Sequence, residues 1–203
     1  MSKKMIRVEE NQNSKKGNQM RKLIYAINLT LDGCCDHTKM VPHEDDFEYH
    51  MRLVRDADLF VYGRKTYQLM VPYWPDIAKN PSGETKADVD FAQAFDSKNK
   101  VVFSRSLESA DEKSRIVRTN LKDEILKLKQ ESGNYILTGG VSIPAQLIEL
   151  GLVDEFRFVV VPTLAGEGRR LLDGVSLQEQ FRLKLAESKI LKSGSVALRY
   201  SKP

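Results

Sequence analysis

"DLFVYGRKTYQLM" (Asp58–Met70) changes character in its middle. Leu59 to Tyr62 are apolar without alternation, the pattern of a strand buried on both faces of a parallel sheet. At Gly63 the run stops, and Arg64, Lys65 and Thr66 follow, three residues that a core rejects. A buried strand that ends in glycine, two cations and a hydroxyl either closes in a simple turn with Arg64-Lys65 on a solvated helix face, or brings its carboxyl end to a ligand, where open α/β sheets bind them. Gly63 lets the backbone approach closely. Arg64 and Lys65 supply positive charge, and Thr66 a donor at a helix start.

Reading outward, the chain alternates strands with helical periods. "KLIYAINLTLDG" (22–33) is a strand closed by Asp32-Gly33, and Phe47, Met51 and Val54 mark one face of a helix that opens with Glu44, Asp45 and Asp46. Those acids suit the positive end of the helix dipole. "DVDFAQAF" reads as a helix, "KVVFS" and "RIVR" as strands, and Leu121, Ile125 and Leu128 as a helix stripe. "NYILT" is a strand ending in Gly139-Gly140, and "SIPAQLIELG" a short helix. "EFRFVVVP" is a strand, while "LKLAESKIL" and "VALRY" flank the turn "KSGS" as a hairpin. The pattern predicts a single three-layer α/β domain with a mainly parallel, about eight-stranded central sheet that ends in an antiparallel hairpin.

Composition sets further bounds. The formal charge of +4 is local: residues 1–22 carry +5, so the rest carries a net −1. A nucleic-acid binder needs a basic face on its folded body, and none is predicted here. Residues 1–20 read as a disordered basic tail and 21–203 as the folded domain. There is no secretory apolar core and no run long enough to span a bilayer, so a cytoplasmic location is expected. Cys34 and Cys35 are the whole cysteine content. With Asp36, His37 and His43 they match no metal-ligand spacing, so no metal is expected and the thiols stay reduced.

Three strand ends share the polar or glycine-rich pattern: Gly63–Thr66, Ser104-Arg105-Ser106, and Gly139-Gly140-Val141-Ser142. A Walker motif requires a glycine five residues before Gly63, where Asp58 stands, and no G-x-G-x-x-G follows the first strand. Nucleoside triphosphate hydrolysis and an ordinary Rossmann site are thereby disfavoured.

The order of "NLTLDG" (28–33), "VYGRKTY" (61–67), "KVVFSRSL" (100–107), "LTGGVSIPAQLIELGLVDEF" (137–156) and "VPTLAGEGRRLL" (161–172) resembles the dihydrofolate reductase-like superfamily. In particular it resembles the branch that includes the C-terminal reductase domain of bifunctional riboflavin-biosynthesis enzymes. The resemblance implies an NADPH-dependent reductase. Gly63, Arg64, Lys65 and Thr66 would bind cofactor phosphates, and Ser104 and Arg105 would lie near the adenosine 2′-phosphate. Thr138, Gly139, Gly140, Val141 and Ile143 would support the pyrophosphate and nicotinamide. The substrate implied is a pteridine- or pyrimidine-type heterocycle, above all 5-amino-6-(5-phosphoribosylamino)uracil, and a homodimer is implied as well.

Asp32 is expected to face the cleft, and Asp46, with Asp45 beside it, stands near the carboxylate that serves dihydrofolate reductases. Asp32 and Asp46 are the candidate catalytic residues. The Trp-Pro that precedes that helix in dihydrofolate reductases is absent, "KMVPHEDDF" (39–47) standing in its place, which argues against folate. No H-x-E with a paired-cysteine motif occurs in these residues. Arg169 and Arg170 are the candidate contributors to a pocket for a ribosyl phosphate. Dihydrofolate reduction and a non-catalytic NADPH-binding domain are the alternatives.

Overall fold

The break at Gly63 is a strand–helix corner, where β2 (Leu59–Gly63) passes directly into α2 (Arg64–Lys79). The computed structural model describes residues 20–203 apart from 42 and 178. The basic tail expected over residues 1–20 therefore lies, except for Met20, outside the described residues.

The other strands are β1 (Lys22–Thr30), β3 (Asn99–Phe103), β4 (Ser114–Val117), β5 (Tyr135–Thr138), β6 (Glu155–Val161), β7 (Lys184–Ile190) and β8 (Val196–Ser201). They form one sheet in the order β4-β3-β2-β5-β1-β6-β8-β7. All pairs from β4 to β6 are parallel, and β8 and β7 close the sheet in antiparallel fashion. Helices α1 (Glu44–Asp56), α2 and α3 (Lys86–Asp96) pack on one face, with Ile24, Phe60, Tyr62 and Val102 beneath them. The opposite face carries α4 (Leu121–Gln130) and α5 (Ser142–Glu149) over Tyr25, Val61, Val101 and Ile136. This is the three-layer α/β domain that the alternation predicts.

The extent of α2 is not legible in its sequence. Pro72 and Pro75 both fall inside it, and each removes a backbone donor at a cost of about 3 kcal/mol in a helix interior. Tertiary burial offsets that cost. Tyr67, Val71, Trp74 and Ile77 form the buried stripe, and the Trp74 ring lies 4.5 Å from that of Phe91 on α3. Behind it Phe95, fully buried, stacks on Phe60 at 5.1 Å and lies under the Lys100 ammonium at 4.7 Å.

The long connection from β6 to β7 folds back over the end of β1, and Asp32 fastens it. Its carboxylate accepts the Ala165 and Gly166 N–H groups at 3.0 and 2.9 Å and the Thr30 hydroxyl. The Arg170 guanidinium donates to the Asp32 carbonyl, and Leu31 N–H donates to Thr163 O at 2.9 Å. The hydrogen bonds to the carboxylate, led by that from Thr30, hold the Asp32 carboxyl down at about 2. No helix among the described residues is long and apolar enough to cross a membrane.

Phe95→Ala should destabilise the domain by about 3–5 kcal/mol, the cost of emptying a fully packed aromatic site, read from denaturant unfolding. A loss below about 1 kcal/mol would contradict this core assignment. The Asp32 clamp predicts a pH response. A carboxyl lowered in the folded state stabilises above its ordinary value of about 4, and that contribution fades as pH falls through the folded value. The Gly166 amide proton shift should accordingly titrate with a midpoint at about 2 and lose that response in Asp32→Asn. A midpoint at about 4 would mean that the carboxylate does not hold the loop.

Candidate functional site

Strand β1 runs beside β5 only from Lys22 to Tyr25, yet stays paired with β6 as far as Thr30 and Val161. Past Tyr25 its β5 side is open, because β5 ends at Thr138 and the chain turns at Gly139-Gly140. Consecutive strands β1 and β2 lie on either side of the inserted β5, so this opening is a topological switch point. Tyr25 fixes the turn, its hydroxyl donating to Gly140 O at 2.8 Å. Burial raises the Tyr25 phenol well above its ordinary range, which keeps it a donor.

Two helices begin beside this crevice. Gly63 is the N-cap of α2 and Val141 that of α5, and neither offers a side-chain cap. Elsewhere Thr85 caps α3, Asn120 caps α4, and at α1 the Asp46 carboxylate accepts the His43 N–H at 3.0 Å. The starts of α2 and α5 are the ones that meet. A Cβ built on Gly63 would lie 2.9 Å from Ile143 Cγ1, and one on Gly140 would overlap Thr66 Oγ1. Gly140 also has a φ of 80°, a left-handed conformation that L side chains avoid. The orphan N–H groups of both helices and their positive dipole ends thus converge on one corner. Arg64 and Lys65 occupy the first turn of α2, exposed and without an ion-pair partner among the described residues. From the far side Arg169 reaches Ser142 Oγ at 2.9 Å. The corner is a cradle of backbone N–H groups and cations that added side chains would fill.

Of the residues expected to hold a cofactor, Gly63, Thr66, Gly139, Gly140, Val141 and Ile143 come together here. Thr138 lies beneath them, fully buried and paired with Tyr25 and Val61, its hydroxyl donating to Val61 O at 2.7 Å. Ser104 and Arg105 line an adjoining cavity of about 590 Å³ that shares Ile143 with the cradle. Ser104 Oγ accepts the Ser106 and Leu107 N–H groups at 3.2 and 2.9 Å and so shapes the turn, while the Arg105 side chain stays exposed. Arg118, just past the end of β4, lines the same cavity, a role that sequence reasoning missed. It donates to Ser104 O at 3.0 Å and to Leu107 O at 2.6 Å. A cation closing a strand, as in "RIVR", was the available signal.

The candidate carboxylates carry structural duties. Asp32 anchors the β6–β7 connection, and as an anion at neutral pH it accepts hydrogen bonds and has no proton to give. Asp46 is 1% exposed, and besides His43 N–H it accepts the Ser193 hydroxyl at 3.2 Å. Asp45 accepts Ser193 N–H at 3.0 Å, so both acids tie α1 to the turn of the final hairpin. One turn on from Asp46, His50 puts Nε2 2.6 Å from Asn28 Oδ1 of β1. Sequence reasoning missed this pair too, although Asn28 interrupts an apolar strand. Among the described residues no group of three His, Cys, Asp or Glu side chains is placed to hold a metal ion. Cys34 and Cys35 are free thiols.

Comparison with known proteins agrees with the fold. The chain is 31% identical over 190 residues to the uncharacterized protein YyaP of Bacillus subtilis, covering 90% of this chain and 95% of that one. The fold superposes on a Thermotoga maritima diaminohydroxyphosphoribosylaminopyrimidine deaminase/5-amino-6-(5-phosphoribosylamino)uracil reductase with a TM-score of 0.64 at 14% identity, over 91% of this chain and 57% of that one. It also superposes on Enterococcus faecalis dihydrofolate reductase complexed with NADP(H), with a TM-score of 0.58 at 12% identity, over 89% and 95%. Residues 21–197, which contain every part of the cradle, match the RibD C-terminal domain, and the chain belongs to that family of reductase-like α/β domains.

Proposed function

We propose that this chain is an NADPH-dependent reductase that delivers hydride to a pyrimidine- or pteridine-type heterocycle, with 5-amino-6-(5-phosphoribosylamino)uracil the leading substrate. One observation carries the reading: the two uncapped helix starts converge, with Arg64 and Lys65 beside them, at the mouth of the switch-point crevice. Such a corner suits a pyrophosphate, whose charges meet free N–H groups and cations without a side chain in the way. The adjoining cavity, with the exposed Arg105 side chain at its rim, suits an adenosine bearing a 2′-phosphate.

A bound dihydronicotinamide supplies the hydride. The chain's own residues orient and shield. Gly139 brings backbone to the crevice, and a Cβ there would lie 3.4 Å from Ala26 O. The ionised Asp32 holds the loop over the strand end, and Asp46 holds α1 to the hairpin turn. The proton that follows the hydride then comes from water, since the Asp32 carboxyl is ionised at neutral pH and Asp46 is committed to His43 N–H and the Ser193 hydroxyl.

A second reading, a nucleotide-binding domain without turnover, is favoured by the same commitment of both carboxylates to the scaffold. Following NADPH absorbance with 5-amino-6-(5-phosphoribosylamino)uracil and with dihydrofolate separates the readings. Reduction of the former supports our assignment, dihydrofolate alone would reassign the substrate, and no oxidation with either would favour the binding domain. A homodimer in the cytoplasm fits the proposal. Strand β7 is exposed along its whole length at the sheet edge, with Leu185 and Ile190 outward, an arrangement that a second copy could cover.

NADPH should bind more tightly than NADH, and Arg105→Ala should erode the difference by about 1–3 kcal/mol, the scale of a charge-assisted hydrogen bond. Equal affinities in the parent protein, measured by fluorescence titration, would remove the basis for Arg105. Gly140→Ala should abolish NADPH binding and cost about 1–2 kcal/mol of stability through its left-handed backbone alone. Undiminished binding in that variant would show that the cradle is not the phosphate site.

A further inference from the structure

The crevice holds a polar pair that the hydride transfer itself does not use. Asn28 follows Ile24 and Ala26 on the α1-facing side of β1, three residues beyond Tyr25, the last position with a β5 partner. Pairing with Val159 of β6 fixes its backbone. Its Oδ1 lies 2.6 Å from His50 Nε2. An amide oxygen only accepts, so Nε2 carries the hydrogen and the ring is the Nε2–H tautomer. Burial keeps the His50 imidazole neutral, with its titration lowered to about 4 despite the nearby Asp46 charge. Tyr49 packs edge-on against the ring with centroids 5.6 Å apart.

In this contact the Asn28 amide turns its oxygen toward His50. With Oδ1 held by His50, the Nδ2 donors are directed away from it, and they have no hydrogen-bond partner among the described residues. An asparagine pinned by one end at an open strand edge presents two neutral N–H donors, which match a carbonyl oxygen conjugated to nitrogen. Anions are better served by the cradle, and a ring N–H would meet no acceptor here.

We infer that Asn28 binds an amide-type carbonyl of the reacting ligands, either a lactam oxygen of the heterocycle or the carboxamide oxygen of nicotinamide, and that His50 is the positioning residue that locks its orientation. The inference rests on the reductase reading for its ligands, but its test does not depend on turnover.

The experiment follows the Asn28 side-chain amide signal in the full-length ¹⁵N-labelled protein, assigned by its disappearance in Asn28→Ala. NADPH is added alone in one arm, and 5-amino-6-(5-phosphoribosylamino)uracil with NADP⁺ in the other. A shift with NADPH alone assigns the carboxamide, and a shift that needs the heterocycle assigns the lactam. The affinity for that ligand should fall about 10-fold in Asn28→Ala, the scale of one neutral hydrogen bond. His50→Leu should lose about as much, the double variant should lose no more than either, and His50→Gln, which keeps an N–H donor, should recover most of it. Long-range ¹H–¹⁵N spectra should show His50 protonated at Nε2.

An Asn28 signal that stays still in both arms while NADPH binds and the heterocycle is reduced overturns the inference and leaves the reductase reading intact. A shifted signal in a protein that never oxidises NADPH does the reverse. Independent, additive losses in the single variants would sink the role of His50, and failure to bind either ligand would sink both readings.

Discussion

Thr66 and Ile143 stand where Cβ atoms on Gly140 and Gly63 would have to go. The rest of the site depends on that double close approach. It brings the start of α2 against the start of α5, so that two sets of orphan backbone donors share one corner. It is possible because β5 is inserted between β1 and β2 late in the chain, which makes two distant strand–helix junctions into neighbours. The same insertion leaves β1 unpaired on that side beyond Tyr25 and opens the crevice. Cradle and crevice therefore have one cause, and a side chain at either glycine would disturb both.

Charge is distributed around this geometry with a clear division. The acids lie in the scaffold: Asp32 under the β6–β7 connection, Asp45 and Asp46 at the hairpin turn, and Asp154 on the buried Lys129 ammonium at 2.5 Å. Arg64, Lys65 and Arg105 keep exposed side chains near the proposed ligand path. A fixed anion close to a phosphate site would repel the ligand, and Asp32 is surrounded by donors. The RibD C-terminal fold thus separates acids that hold structure from cations that remain available, an arrangement suited to a polyanionic cofactor.

The polar groups inside the crevice follow a different rule. Asn28 and His50 are neutral, and each fixes the other's orientation through one contact. Neutral donors discriminate by shape and hydrogen-bond direction, which suits an uncharged ring, whereas charge suits phosphates. The two ends of an elongated ligand would in this way be read by different physics.

The sequence by itself determined the α/β class, the terminal hairpin and most element positions, since these rest on local periodicity and turn residues. The glycine-rich strand ends were equally legible, because a strand buried on both faces can continue into glycine and paired cations only where it leaves the core. Tertiary structure alone decided four things. It ran α2 through Pro72 and Pro75, because burial of Trp74 against Phe91 outweighs lost backbone bonds. It gave Asp32 and Asp46 to the scaffold, because their donors come from residues 133 and 147 positions away in the chain. It joined Asn28 to His50 and added Arg118 to the cavity beside Ser104 and Arg105. Each of these depends on contacts between distant segments, and the strand order that creates them is carried by no local pattern.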